Sequence, residues 1–205
     1  MLDFIAIDLE TTGFSPLTSD ILEIGAWKIK NGVVVDKFNS LVKPIGYISR
    51  NIQELTGITD SMVKDCEPLA TVLVEFFDWC ERLPFLGHNL KFDYDFLLYK
   101  GKFVGLDFSL NGSRCGIDTL KLCKSLLNLQ SNKLEDVAKS LQVSLSTDNK
   151  ENRFHRASYD AYVTKLIYDR FLLSHSNISS VILPESLCTT DSNYGKAVIK
   201  DVLEF

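Results

Sequence analysis

The sequence predicts an α/β domain: a mixed sheet, part antiparallel meander and part parallel, with helices on both faces. Three observations predict it. A continuous apolar run at 4–7 ends in two acids, Asp8 and Glu10. Two β-rich runs, 20–29 and 33–42, meet at Asn31-Gly32. From about residue 49 onward, helical apolar periods alternate with short strands, the pattern of a layered sheet-and-helix domain.

Each element has its own reason. The run at 4–7 has no polar alternation, as in a strand buried on both faces. Asn-Gly suits a two-residue hairpin turn because both turn positions need positive φ. The first third is therefore a meander of about three strands. Residues 49–55 predict a short helix, with Ser49 placed to cap its start and Gly57 just past its end. A second short helix is expected over 59–64. Over 68–82, Pro68 suits a first turn, and Leu69, Val72, Leu73, Phe76, Phe77 and Cys80 recur at helical spacing. Pro84 breaks that helix, and 85–87 reads as a short strand. Residues 90–100 predict a helix that stops at Gly101. A strand at 116–118 precedes a helix over 119–127, and Asn132 is placed to cap a helix over 133–141. Residues 144–156 are polar without an apolar period and read as a mobile loop. Ser158 is placed to cap a final helix reaching about Leu173. The domain is thus expected over 1–173. At 174–205 the composition shifts toward Ser, Thr and Asn, an extension to which the sequence assigns no role.

The 205 residues suffice for one domain with a full core. Apolar residues make up 45% and charged residues 24%, so a disordered or fibrous chain is excluded. No apolar run approaches the roughly 20 residues that cross a bilayer, so no membrane partner is expected. The first ten residues, MLDFIAIDLE, lack the basic start and small-residue cleavage site of a secretion signal. A cytoplasmic location is expected. Cysteines number five, with no C-x-x-C, which argues for reduced thiols and against a thiolate zinc site. The net charge of −5 and pI of about 5.2, taken alone, argue against nucleic acid, which prefers basic partners. Two divalent cations held by carboxylates would bring the charge to −1 and set the positive field at the point where a phosphate docks.

Three clusters carry chemistry. Asp8 and Glu10 stand two apart on a strand and so share a face. The alternative for so short a motif is a solvated strand end. Thr11, Thr12 and Gly13 follow as a turn whose backbone N–H groups could face a terminal nucleotide. The second cluster is GHNLKFDYDFL, 87–97. Phe92, Phe96 and Leu97 form its core face, and Asp93 lies beside that stripe, where an unpaired carboxylate is costly. Asp95 points elsewhere and reads as a surface acid. His88 reads as a packing residue, and Asn89 is in place to hydrogen-bond the active-site loop. The third cluster is HRASYDA, 155–161. Asp160 falls in the first turn of a helix. His155, in the segment before it, suits a general base because its free pKa is near neutrality; the alternative is an exposed loop histidine, as His175 reads. Four carboxylates from separated segments are hard oxygen ligands that suit Mg²⁺ or Mn²⁺. Two such ions about 4 Å apart can clamp a phosphodiester and activate a water.

FIAIDLETTG, HNLKFDYDFL and HRASYDA, in this order and spacing, resemble the three motifs of the DEDD exonuclease superfamily, in the branch with histidine in the third motif (DEDDh). The proofreading epsilon subunit of bacterial DNA polymerase III and the built-in exonuclease domain of Gram-positive replicative polymerases are of this kind. The resemblance covers about 3–173. It implies a ribonuclease H-like fold with a mixed five-stranded sheet, and hydrolysis from the 3′ end that releases 5′-mononucleotides. It implies that Asp8, Glu10, Asp93 and Asp160 ligate two divalent cations, with Asp8 shared, and that His155 deprotonates the attacking water. The backbone at Thr11 and Thr12, and Phe14, would meet the terminal nucleotide. IQELTGIT, 52–59, resembles the segment that packs on the terminal base, with Leu55 and Ile58 as the wedge and Thr56 against the sugar. This chain departs from some epsilon-type members at Asn51 and Thr56, where they carry an acid and a histidine.

The expected partner is a single-stranded or frayed 3′ end, DNA ahead of RNA, with a DNA polymerase subunit as a further partner in replication and proofreading. An exoribonuclease or oligonucleotide scavenger is the alternative on the same chemistry. A non-catalytic nucleic-acid-binding assembly subunit and a phosphatase on small esters are rivals of other classes. The sequence leaves the oligomeric state and any preference for unpaired ends open.

Overall fold

In the computed structural model, residues 3–81, 83–106, 116–145 and 153–174 are described. Five strands form one sheet in the order β3-β2-β1-β4-β5. β1 (Phe4–Thr11), β2 (Ile21–Lys30) and β3 (Val33–Leu41) are an antiparallel meander. β4 (Phe85–Gly87) lies parallel to β1, and β5 (Gly116–Asp118) parallel to β4. The hairpin turn is where expected, with Asn31 at φ 53° and Gly32 at φ 80°. β1 is the central strand and runs on through both acids to Thr11, where a bulge after Glu10 shifts the register.

Alternation along β1 sorts the core into two layers. Ile5, Ile7 and Leu9 face α3 (Leu69–Trp79) and α4 (Leu90–Phe103), where Phe76, Phe96 and Leu97 are buried. Phe4 and Ala6 face α7 (Ala157–Ser174), together with Val163, Ile167 and Phe171. α5 (Thr119–Leu126) and α6 (Leu134–Ser140) complete that second layer. α1 (Arg50–Thr56) and α2 (Asp60–Val63) shelter a smaller cluster of Leu22, Ile48, Ile58 and Val63. Among the described residues no helix is long and apolar enough to cross a membrane.

Several local expectations are corrected. Ser49 stands at the N-cap of α1 but makes no side-chain cap, whereas Gly57 is left-handed as expected and donates to the Gln53 oxygen. α4 does not stop at Gly101 but continues to Phe103, and its end is tied by Leu106 N–H donating to the Gly101 oxygen at 2.8 Å. Asn132 does not cap α6, whose N-cap is Lys133. Asp118 instead is a true cap, accepting from the Leu120 and Lys121 amides of α5. α7 begins at Ala157, so Ser158 is inside the helix rather than capping it. Of the loop expected at 144–156, residues 146–152 lie outside the described residues, as does the extension from His175 onward.

Candidate active site

The register of β1 against β2 builds the floor of the site. Asp8 pairs with Gly25 and Glu10 with Glu23, so all four share the face on which α7 lies. α7 comes very close here: a Cβ on Gly25 would meet the Ser158 nitrogen at 2.0 Å and the Ala157 carbonyl carbon at 2.2 Å. Only glycine lets the helix start sit this low. That approach carries Asp160, in the first turn, to the acids of β1.

Glu23 locks the approach. It is fully buried and accepts from Arg156 Nη2 at 2.8 Å, Arg156 Nε at 3.0 Å and Ala157 N–H at 3.1 Å. A carboxylate so buried needs partners of this kind. Next to it, His155 has φ 64° and donates its N–H to Asp160 Oδ2 at 3.1 Å. Ligand atoms of Glu10, His155 and Asp160 all lie within 4.8 Å of one another, a spacing at which they could hold a cation. The other oxygen of Asp160, Oδ1, is buried and has no hydrogen-bond partner among the described residues.

Asp93 arrives from the opposite layer. It sits in the first turn of α4, 3% exposed, and its Oδ1 accepts from Leu9 N–H at 3.0 Å, between the two acids of β1. The four carboxylates press on one another. Burial first, then the charges of Asp160, Asp93 and Glu10, push Asp8 well above the usual carboxylate range. Glu10 is pushed up to about 8 by burial, with Asp160 and Glu23 adding to it. Burial drives Asp160 up to about 7, and Asp93 is raised as well for the same reason. Such a cluster is unfavourable until a cation enters it, and its donors are hard oxygens. The residues therefore fit divalent metal. Partial desolvation lowers His155 below its ordinary value, although the residue is exposed at the surface of the site.

The nucleotide-contact candidates stand on the end of β1 and the loop after it, on the end of α1, and at the N-cap of α4. Phe14 is 93% exposed in the loop after β1. Thr11 is buried at the strand end, its hydroxyl donating to the Gly13 oxygen at 2.7 Å. Thr12 is tied to Asp20 in both directions, its N–H donating to the Asp20 oxygen and its hydroxyl accepting from Asp20 N–H. The Thr12 amide is thus already used within the loop. Asp20 also accepts from Ile45 N–H and from the buried Lys100, which fixes the loop to its surroundings. Leu55 is 48% exposed at the end of α1, while Ile58 is fully buried. Thr56 is buried, its hydroxyl donating to the Ile52 oxygen and accepting from Ile58 N–H. Asn89, at φ 72°, donates its N–H to Asp118 Oδ1. His88 is a structural residue: Nε2 donates to the Asn132 oxygen at 2.8 Å and Nδ1 lies 2.9 Å from the Thr119 hydroxyl. Asp95 is a surface acid paired with Lys91.

Residues 5–168 match the RNase T-type exonuclease family. The chain belongs to this exonuclease family. The matched span takes in the acids and the histidine of all three motifs that carry the resemblance, Asp8, Glu10, Asp93, His155 and Asp160. The exonuclease is 40% identical over 183 residues to DNA polymerase III PolC-type of Thermotoga petrophila, covering 89% of this chain and 13% of that protein. It is 38% identical over 162 residues to the PolC-type enzyme of Oceanobacillus iheyensis, covering 78% of this chain and 11% of that one. The chain thus spans about an eighth of the length of these relatives. The nuclease domain of 3′hExo, a DEDDh family member bound to rAMP, has the same fold, with a TM-score of 0.71 at 20% identity over 84% of this chain and 92% of that one. Exonuclease X in complex with 5′ overhanging duplex DNA superposes with a TM-score of 0.67 at 22% identity, over 92% of this chain and all of the other.

Glu23, Gly25 and Arg156 were not singled out by sequence. One signal was present: Glu23 is the lone charge inside the apolar run ILEIGAW, and a buried charge requires a partner.

Proposed function

We propose that this exonuclease acts on DNA, removing nucleotides singly from an unpaired 3′ end as the proofreading module of a PolC-type replicative polymerase. One observation carries the chemistry: ligand atoms of Glu10, His155 and Asp160 lie within 4.8 Å of one another at the end of the central strand, where Asp8 shares the face of Glu10 and Asp93 accepts from the Leu9 amide between them. The similarity to PolC-type DNA polymerases supports DNA as the substrate and a polymerase as the partner.

Asp8, Glu10, Asp93 and Asp160 would hold two divalent cations, Mg²⁺ or Mn²⁺. When bound, these supply Lewis-acid stabilisation of the charge on the scissile phosphate and its leaving oxygen. His155 accepts the proton of the attacking water at a ring nitrogen. The water oxygen bonds to phosphorus, the bond from phosphorus to the 3′ oxygen breaks, and a 5′-mononucleotide leaves. The shortened strand keeps a 3′ hydroxyl. Arg156 and Glu23 hold His155 and Asp160 in register with β1. Leu55 seats the terminal base, Thr56 supports it from within, and Phe14 offers an exposed ring on which a base can stack. Thr11 and Asn89 border the strand end.

Matched single-stranded DNA and RNA oligonucleotides, 5′-labelled, test this. A ladder shortening from the 3′ end is expected with Mg²⁺ or Mn²⁺, faster on DNA and absent with chelator. Faster RNA cleavage would transfer the assignment to an exoribonuclease. No cleavage of either strand by folded, metal-supplied protein would leave a binding or assembly role.

A further inference from the structure

Arg153 ties the segment bearing His155 to a part of the chain nearly a hundred positions away. Its Nη2 donates to the main-chain oxygen of Thr56 at 2.7 Å. Thr56 is the last residue of α1, where helix carbonyls lack partners along the helix and a cation is favoured. A second observation marks the same contact. A Cβ on Gly57 would meet Arg153 Nη2 at 1.6 Å and Cζ at 2.7 Å. The guanidinium therefore lies against bare backbone, in a seat that any side chain at 57 would close.

Two residues further on is His155, in a left-handed conformation with its N–H on Asp160. Arg156 is fixed to Glu23 on β2. Residues 153–156 are thus a short strap held at both ends, one end at the acids and the other at α1. Leu55 immediately precedes the tethered carbonyl, and the Thr56 hydroxyl bonds Ile52 and Ile58 into the same turn. A shift of Leu55 moves the carbonyl on which Arg153 pulls.

We propose that Arg153 is a positioning residue that couples the terminal-base surface at Leu55 to the placement of His155, so that a correctly seated strand end sets the geometry for hydrolysis. The inference rests on the proposed function for its substrate, and on the two tethers for its mechanism.

The test is a double-mutant cycle of Arg153→Met with Leu55→Ala, read as single-turnover cleavage and KM on single-stranded DNA with Mg²⁺. Arg153→Met should slow the chemical step by about 10- to 100-fold, the worth of one hydrogen bond to a charged group, with KM nearly unchanged. Arg153→Lys should recover part of the rate. Leu55→Ala should slow the wild type and add little on top of Arg153→Met. An NMR signal of the His155 ring gives a readout without turnover: Leu55→Ala should move it in the wild-type background and leave it still beside Arg153→Met. A wild-type single-turnover rate in Arg153→Met, or independent multiplying effects, would overturn the coupling. A His155 signal that responds as described in protein that cleaves no strand would uphold the coupling and refute the proposed function.

Discussion

Gly25→Ala is the substitution that most directly probes how the site is built. The added methyl would lie 2.0 Å from the Ser158 nitrogen and 2.5 Å from its Cα. Ordinary contact begins at 3.4 Å, so the first turn of α7 must retreat by about 1.4 Å or the strand must bend. Both partners are backbone, and neither can rotate away. Over-packing of this kind costs about 1–3 kcal/mol, or roughly 2–12 °C in Tm for a chain of this size. The larger effect should be on rate. Asp160 rides on the displaced turn and His155 is bonded to it through its N–H, while Asp8, directly across the ladder from Gly25, is on the strand. A misplacement of about 1 Å in a reacting constellation costs on the order of 10²-fold. Single-turnover cleavage at saturating Mg²⁺, beside a thermal melt, separates the two effects. Gly46→Ala is the matched control, since its Cβ would meet nothing within 4 Å. A folded Gly25→Ala protein that cleaves at the wild-type rate would refute the claim that this close approach sets the site.

Other consequences follow from the same geometry. Glu23→Gln should lower Tm, because breaking a buried ion pair costs about 3–5 kcal/mol, and should slow cleavage even where the protein is fully folded; an unchanged melt would show that Arg156 finds equal partners elsewhere. His155→Ala should slow the chemical step by about 10²- to 10⁴-fold while leaving Mn²⁺ binding in place, and loss of Mn²⁺ binding would make the histidine a ligand instead. In chelator, stability should fall as pH rises. Glu10 titrates near 4.5 in an unfolded chain and at about 8 in the metal-free fold, so the fold holds its proton more tightly. That stabilisation is complete below about pH 4.5 and is lost as pH rises to about 8, with Asp160 acting in the same direction up to about 7. Mg²⁺ should oppose the loss, because it binds the deprotonated acids. A metal-free melt that is flat from about pH 5 to about pH 9 would contradict the clustering of the four carboxylates.

The strand and helix pattern was legible because it depends on neighbours in sequence. The period-2 spacing of Asp8 and Glu10 fixes their common face, and Phe92, Phe96 and Leu97 fix the side of α4 beside which Asp93 must lie. The order of the three motifs then points to one chemistry. Contacts across the fold were not legible in this way. Gly25 acquires its meaning only when α7 lands on it, and Glu23 only when register places it opposite Glu10. Helix boundaries failed where a tertiary demand replaced the local one. Gly101 sits inside α4, where a Cβ would meet the Leu106 oxygen at 3.3 Å and the Phe77 ring at 3.4 Å, so its small size serves packing and not termination. Thr12 and Thr56 read as nucleotide contacts by position, the first through its backbone and the second through its hydroxyl; their bonds to Asp20, Ile52 and Ile58 depend on the folded turns and are not legible from position. His88 likewise reads as a packing histidine from its motif and is one, bonded on both ring nitrogens.

The most direct measurement is the chemical form of the first product. A single-stranded DNA labelled on its 3′-terminal nucleotide, mixed with the protein and Mg²⁺ and quenched within one turnover, should yield all of the label as a 5′-mononucleotide. Asp160→Asn should release none. Label appearing as inorganic phosphate, as a nucleoside, or within an internal fragment would contradict the account of four carboxylates and His155 hydrolysing the last phosphodiester bond of a strand.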